Sequence, residues 1–409
     1  MRPANESSRR PAFAVGMPYP KGTGYAMRTL FASFEAAAAR LGNGDHEVMR
    51  VFGPEGAADL DHEREVALHW SRPSPAERQR LKAFLEERRV VGLLGLDLQV
   101  QGPLLPVLRA AGVRSVIAYW GAPMSGIQTP WTLLAKQVEV RLRANGPDHF
   151  IFESEAMRAL AVRGRGIAPE RTAVIPTGID VEQFARPEGH GHGYLSRALG
   201  VPAGRKVIVY SGHFEARKGV QTLIAATKLL VEQHGRTDFH VLLAGNRGND
   251  AVWLEEMLAR SDARRFVTFA GYRHDLPCIF RDAYLGCIPS EGWDSFPMSS
   301  LEMQAAGLPV VVSSLQGVPE TMVDGATGRV FPAGDARRLA AVLAQVLDDP
   351  ADRQRMSLAA SHRIATAFTR ERQVARLASE LEQVLRRCAR PWSRLDAHGG
   401  VLTKPLFGL

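Results

Sequence analysis

Short runs of apolar, often β-branched residues alternate along the chain with longer stretches whose apolar positions recur every three to four residues. The short runs read as strands buried on both faces and the long ones as helices covering them, a pattern that implies parallel sheets. The first half predicts strands in AFAVG (12–16), EVMRVFG (47–53), VVGLLGLD (90–97), SVIAYWG (115–121) and HFIFES (149–154). It predicts helices in YAMRTLFASFEAAAARLG (25–42), stopped by Gly42 and Gly44, and in TPWTLLAKQVEVRLRANG (129–146). RTAVIPTGIDVEQF (171–184) closes this half with a strand and a turn. The pattern restarts with strands KVIVYSG (206–212), FHVLLAG (239–245), RFVTFAG (265–271) and GRVFP (328–332). Helices are predicted in VQTLIAATKLLVEQHG (220–235), AVWLEEMLARS (251–261), DARRLAAVLAQVLDD (335–349) and ADRQRMSLAASHRIATAF (351–368). Residues 291–314, EGWDSFPMSSLEMQAAGLPVVVSS, run through a helix into a strand.

Two α/β units therefore follow one another, and 409 residues suffice for both. The polar, glycine-rich stretch 185–196 is the expected hinge. Its His190 and His192 fit a flexible link better than a metal pair. The expected layout is a disordered tail at 1–11, a first domain at 12–190, a second at 191–375, and a segment at 376–409 that crosses back to the first.

Composition narrows the classes. No run of 18 apolar residues exists, so no membrane span is expected, and the short apolar stretch near the N-terminus does not suit a secretory signal. Three cysteines without metal spacing, Cys278, Cys287 and Cys388, argue for a reducing, cytoplasmic setting. The net charge of +8 favours anionic partners. Arginine is scattered, and no zinc finger, helix-turn-helix or aromatic-basic alternation is present, so nucleic acid is not the expected one. The basic C-terminal end could touch a membrane, although Pro391 and a short apolar face weigh against it.

Glycines at strand ends mark where open parallel sheets take ligands. In PYPKGTGYAMR (18–28), Gly22 and Gly24 allow close backbone approach before a helix start, which suits an oxyanion; the plain alternative is a tight turn. In YSGHFEARKGVQTL (210–223), Arg217 and Lys218 precede Gly219 at a second helix start; with the adjacent amides the loop reads as a diphosphate site, or else as a solvated basic turn. Asp294 precedes the helix beginning after Pro297, and Glu302 lies within it. Two carboxylates so spaced can accept hydrogen bonds from two hydroxyl-bearing parts of one ligand, with Ser299 and Ser300 nearby; otherwise Asp294 or Ser295 caps the helix. In SLQGVPETMVDGATGRVF (314–331), Glu320 either caps a helix or touches the ligand.

The pieces IPTGIDVEQF, SGHFEARKGVQTLIAA, LLAGNRG, FAGYRHD and GWDSFPMSSLEMQAAGLPVVVSSLQGVPETMVDGATGRVFPAGD resemble the retaining glycosyltransferases of family GT4 (glycosyl transferases group 1), from about residue 12 to 385. The resemblance implies the GT-B fold: two Rossmann-like α/β domains facing each other across a cleft. It implies a nucleoside-diphosphate sugar as donor, no cofactor and no bound metal. The family's acid pair, with seven residues between its members, falls on Asp294, where glutamate is usual, and Glu302. By that pattern Asp294 lies near the sugar hydroxyls, Glu302 on the ribose and Lys218 by the phosphates. Gly22 and Gly24 cover the diphosphate, and Gly212, His213, Arg217, Ser295, Phe296, Pro297, Met298 and Ser299 complete the donor site. His213 stands where arginine is common, and Tyr119, Trp120 and Gly121 stand where many relatives carry a histidine. The implied acceptor is a hydroxyl of a glycan, a lipid intermediate or a small natural product. The protein is expected as a monomer or homodimer. An epimerase or phosphorylase-like enzyme on the same fold, or a non-catalytic carbohydrate-binding protein, is the alternative.

Overall fold

The computed structural model describes residues 10–54, 60–126, 129–142, 146–185, 193–246 and 249–389. His190, His192, Pro391 and most of the expected tail lie outside them. The first sheet holds β1 (Ala12–Gly16), β2 (Glu47–Phe52), β3 (Glu65–Ala67), β4 (Val90–Leu96), β5 (Ser115–Trp120), β6 (His149–Phe152) and β7 (Thr172–Val174). The second holds β8 (Lys206–Ser211), β9 (Phe239–Ala244), β10 (Val267–Gly271), β11 (Leu285–Ile288), β12 (Val310–Ser313) and β13 (Gly328–Phe331). All pairings between these strands are parallel, in the orders β3-β2-β1-β4-β5-β6-β7 and β10-β9-β8-β11-β12-β13.

Each sheet reverses its winding beside its first strand, β1 or β8. That is where a crevice opens beyond the carboxyl ends of the strands. β1, β6, β9, β11 and β12 are buried along their whole length, which is why they read as unbroken apolar runs.

Two elements of the first unit escape the apolar pattern. β3 is only three residues long. The helix Pro75–Glu87 is polar, but Ser74 and Glu77 form a reciprocal capping box with proline at the first turn. The helix expected over 25–42 ends at Ala38, because Gly42 and Asn43 take left-handed conformations in the tighter turn that follows.

The chain leaves the first unit and returns to it at one place. Ile179 and Thr369 form a bridge, with Ile179 N donating to Phe368 O and Arg370 N to Ile179 O, both at 2.9 Å. A Cβ on Gly178 would stand 2.4 Å from Thr369 O, so only glycine permits this approach. The helix Arg370–Ala389 then packs Val374, Leu377, Leu381 and Val384 into the first unit's core with Phe34, Ile117 and Tyr119. Arg376 reaches back to Val174 O at 2.6 Å. Leu377 is fully buried there. Leu377→Ala is expected to cost about 2–5 kcal/mol of first-unit stability, read by denaturant unfolding.

Candidate active site

Three loops meet where the two crevices face each other: those after β1, β8 and β11. Each leads into a helix whose first turn no side chain caps, starting at Tyr25, Val220 and Met298. Uncapped helix starts leave N–H groups free for an anion. Gly22 (φ +89°) and Gly24 border open space. Gly219 (φ +71°) is held tightly instead: a Cβ there would lie 1.8 Å from Pro289 O. This contact fixes the loop after β8 against the loop after β11.

That register joins Lys218 to Asp294. Lys218 Nζ lies 2.8 Å from Asp294 Oδ2, and Ser290 Oγ donates to the same oxygen at 2.8 Å. Asp294 N donates to Gln316 Oε1 at 3.2 Å. Arg217 carries its guanidinium 3.9 Å above the Trp293 ring and donates to Trp293 O, so it braces the loop. Glu291, the other acid of EGWD, accepts from Thr222 instead. His213 Nδ1 lies 2.9 Å from Asn246 Nδ2, beside a cavity of about 100 Å³ lined also by Gly212, Gly245, Tyr272 and Arg273.

Glu302 is buried, and among the described residues no donor reaches its Oε1. Burial raises its carboxyl to about 7, against the opposing pull of the Tyr25 hydroxyl. Tyr25, from the first unit, is itself raised to about 12, by burial and then by the charge of Glu302.

The model of the family described as "Glycosyl transferases group 1" matches residues 195–363, and that of "Glycosyltransferase Family 4" matches 33–183. Together the two models cover most of the chain, which belongs to the family of group 1 glycosyltransferases, GT4. Similar curated relatives include a D-inositol 3-phosphate glycosyltransferase of Corynebacterium diphtheriae, 31% identical over 49% of this chain and 48% of that one. Its counterpart in Kineococcus radiotolerans is 32% identical over 53% of each. The match spans about half the length of these relatives. Among solved structures, a glycosyltransferase from Rickettsia africae has a TM-score of 0.74 at 14% identity, covering 92% of this chain and 99% of that one. Anabaena HepE in complex with UDP has a TM-score of 0.72 at 18% identity, over 91% and 100%. The shared architecture is the GT-B fold.

In this GT4 chain several residues expected at the donor site turn elsewhere. Phe296 sends its ring into the core against Phe368, so its side chain is no ligand contact. Ser300 pairs with Thr321 at 2.8 Å inside the protein. Pro297 precedes the helix Met298–Ala305, and Met298 and Ser299 are half-buried at its start. Ser295 donates to Glu153 across the cleft. Glu320 accepts from Glu155 N and Ala156 N, both at 2.8 Å, and so caps a helix of the opposite unit.

Glu153 and Asp97 escape the motif reading. Each stands directly after a buried strand, β6 or β4, with no motif around it. Glu153 also accepts from Thr177 Oγ1 at 3.3 Å, and Asp97 from Gly121 N at 3.2 Å. Burial lifts Glu153 to about 7, opposed by the Ser295 hydroxyl and helped by the charge of Asp97. Burial likewise lifts Asp97 to about 6. Trp120, in place of the family's histidine, is half-buried against the first core.

Unfolded, Glu153 loses its proton near 4.5; folded, it does so near 7. Between those values the folded protein holds a proton that the unfolded chain has released. This stabilisation is fully present below about pH 4.5 and is lost as pH rises through 7. Ligand-free protein is therefore expected to lose stability between about pH 5 and 8, and Glu153→Gln to flatten that slope by on the order of 2 kcal/mol in total. Thermal melts across this range check it; an unchanged slope in the variant contradicts the assignment.

Proposed function

We propose that this protein transfers a sugar from a nucleoside-diphosphate sugar to an acceptor hydroxyl, with retention of anomeric configuration. The observation that carries this reading is the buried Glu302 carboxyl with one oxygen unpartnered, on the helix that follows the loop holding the Lys218–Asp294 pair. A buried acceptor without a donor costs about 1–3 kcal/mol. Vicinal ribose hydroxyls supply donors of the right kind.

Lys218 and the free amides at the helix starts neutralise the diphosphate, and Gly22 and Gly24 let the first unit's backbone close over it. Asp294 faces the sugar hydroxyls, while the cavity between His213 and Tyr272 takes the base. The bond from the anomeric carbon to the diphosphate oxygen breaks as the acceptor oxygen bonds to that carbon on the same face. The acceptor's proton passes to the leaving phosphate oxygen. The protein contributes positioning and charge stabilisation, and the step needs no side-chain base. The relatives' names support sugar transfer, and the HepE structures with UDP and with UDP-glucose support the donor class. Glycogen synthase of Mycobacterium tuberculosis, 32% identical over 39% of this chain and 38% of its own length, shows that similar chains bear names with different acceptors.

A panel of nucleotide sugars and nucleoside diphosphates tests the reading by thermal shift. The cognate donor is expected to raise the melting temperature by several degrees through linkage. Glu302→Ala is expected to weaken nucleotide binding about tenfold or more, the loss of a charge-assisted hydrogen bond. No shift with any nucleotide, or unchanged affinity in the variant, contradicts it.

A further inference from the structure

The helix Pro130–Leu142 is apolar on the side that faces solvent. Trp131 is 82% exposed, Leu134 51% and Val138 45%, and Ala135 is exposed between them. Their spacing of three and four residues stacks them in one stripe along the helix. Inward, Val140 packs on the first unit's core. Single exposed apolar residues are ordinary, but a continuous stripe of this kind marks a contact surface.

We propose that this face docks on an anionic lipid bilayer. Charge argues for that occupant. Lys136 lies on the helix, and Arg163 and Arg165 lie on the turn Ala161–Arg165, which packs against it; Gln137 meets Gly166 just beyond. Among the described residues none of these three cations forms an ion pair. The helix's one acid, Glu139, accepts from Gln101 at 2.6 Å. A tryptophan in the first turn suits the depth of the lipid headgroups. An amphipathic face alone binds weakly, and basic flanks supply the second attraction that stable binding requires. A second copy fits the same face less well. Two-fold pairing would bring the basic flanks of both copies together, and one short stripe is small beside the about 800 Å² per partner of a standard interface.

The test is flotation of the full chain with phosphatidylcholine vesicles, with and without a third of phosphatidylglycerol. The expected result is binding to the anionic vesicles, weakened by salt and absent from the neutral ones. Leu134→Asp is expected to reduce binding at least about tenfold with an unchanged melting temperature, since the side chain touches water in the folded protein. The pair Lys136→Glu and Arg163→Glu leaves the stripe intact and is expected to abolish the preference for anionic lipid. The proposal is overturned if the wild-type chain stays unbound, or if Leu134→Asp floats equally well. It is also overturned if sedimentation finds a dimer that Leu134→Asp dissociates, because a second copy then covers the face.

Discussion

The ion pair between Lys218 and Asp294 organises this cleft. Asp294 is buried, and a buried carboxylate without a partner costs several kcal/mol. It survives because Lys218 and Ser290 both reach one of its oxygens. The pair in turn requires two loops from different strands to touch. Gly219 permits that contact, since a side chain there would collide with Pro289 O. Arg217 on Trp293 and the bonds of Glu291 N and Gly292 N to Arg217 O hold the same register. One cation is thereby fixed at a helix start, where a diphosphate charge is best met.

Buried acids from both units line the cleft. Glu153 and Asp97 belong to the first sheet, Asp294 and Glu302 to the second unit. Their burial explains why three of them hold protons to higher pH than usual. It also ties closure to the site. Ser295, next to Asp294, bonds to Glu153, and Gly317 packs so closely on Ser154 and Ser295 O that a Cβ would clash with both. Glu320 completes the seam by capping the helix that follows Ser154. A change at the seam therefore reaches the residues proposed to hold the sugar.

Much of this was legible in the sequence. Strands buried on both faces read as unbroken apolar runs, and glycines at their ends marked the loops that converge. Asp294 and Glu302 were found because their spacing falls on one helix start. The missed parts have physical reasons. Helix Pro75–Glu87 has a weak apolar face, and only its capping box announces it. Glu153 and Asp97 are single acids whose meaning depends on partners far along the chain; Ser295 is 142 residues from Glu153. Phe296 was placed at the donor site by the resemblance and Ser300 by its nearness to Asp294, but Phe296 packs against Phe368 and Ser300 pairs with Thr321, partners far along the chain that the local sequence does not announce.

The central claim is a division of labour, with Lys218 serving the diphosphate and Asp294 the sugar. Calorimetric affinities for a nucleoside diphosphate and for its sugar conjugate, in wild type and Asp294→Asn, test it most directly. The account predicts that the variant keeps or improves its affinity for the bare diphosphate, because a negative charge beside Lys218 is gone, and loses the increment contributed by the sugar. Equal loss for both ligands, or an unchanged sugar increment, would contradict it.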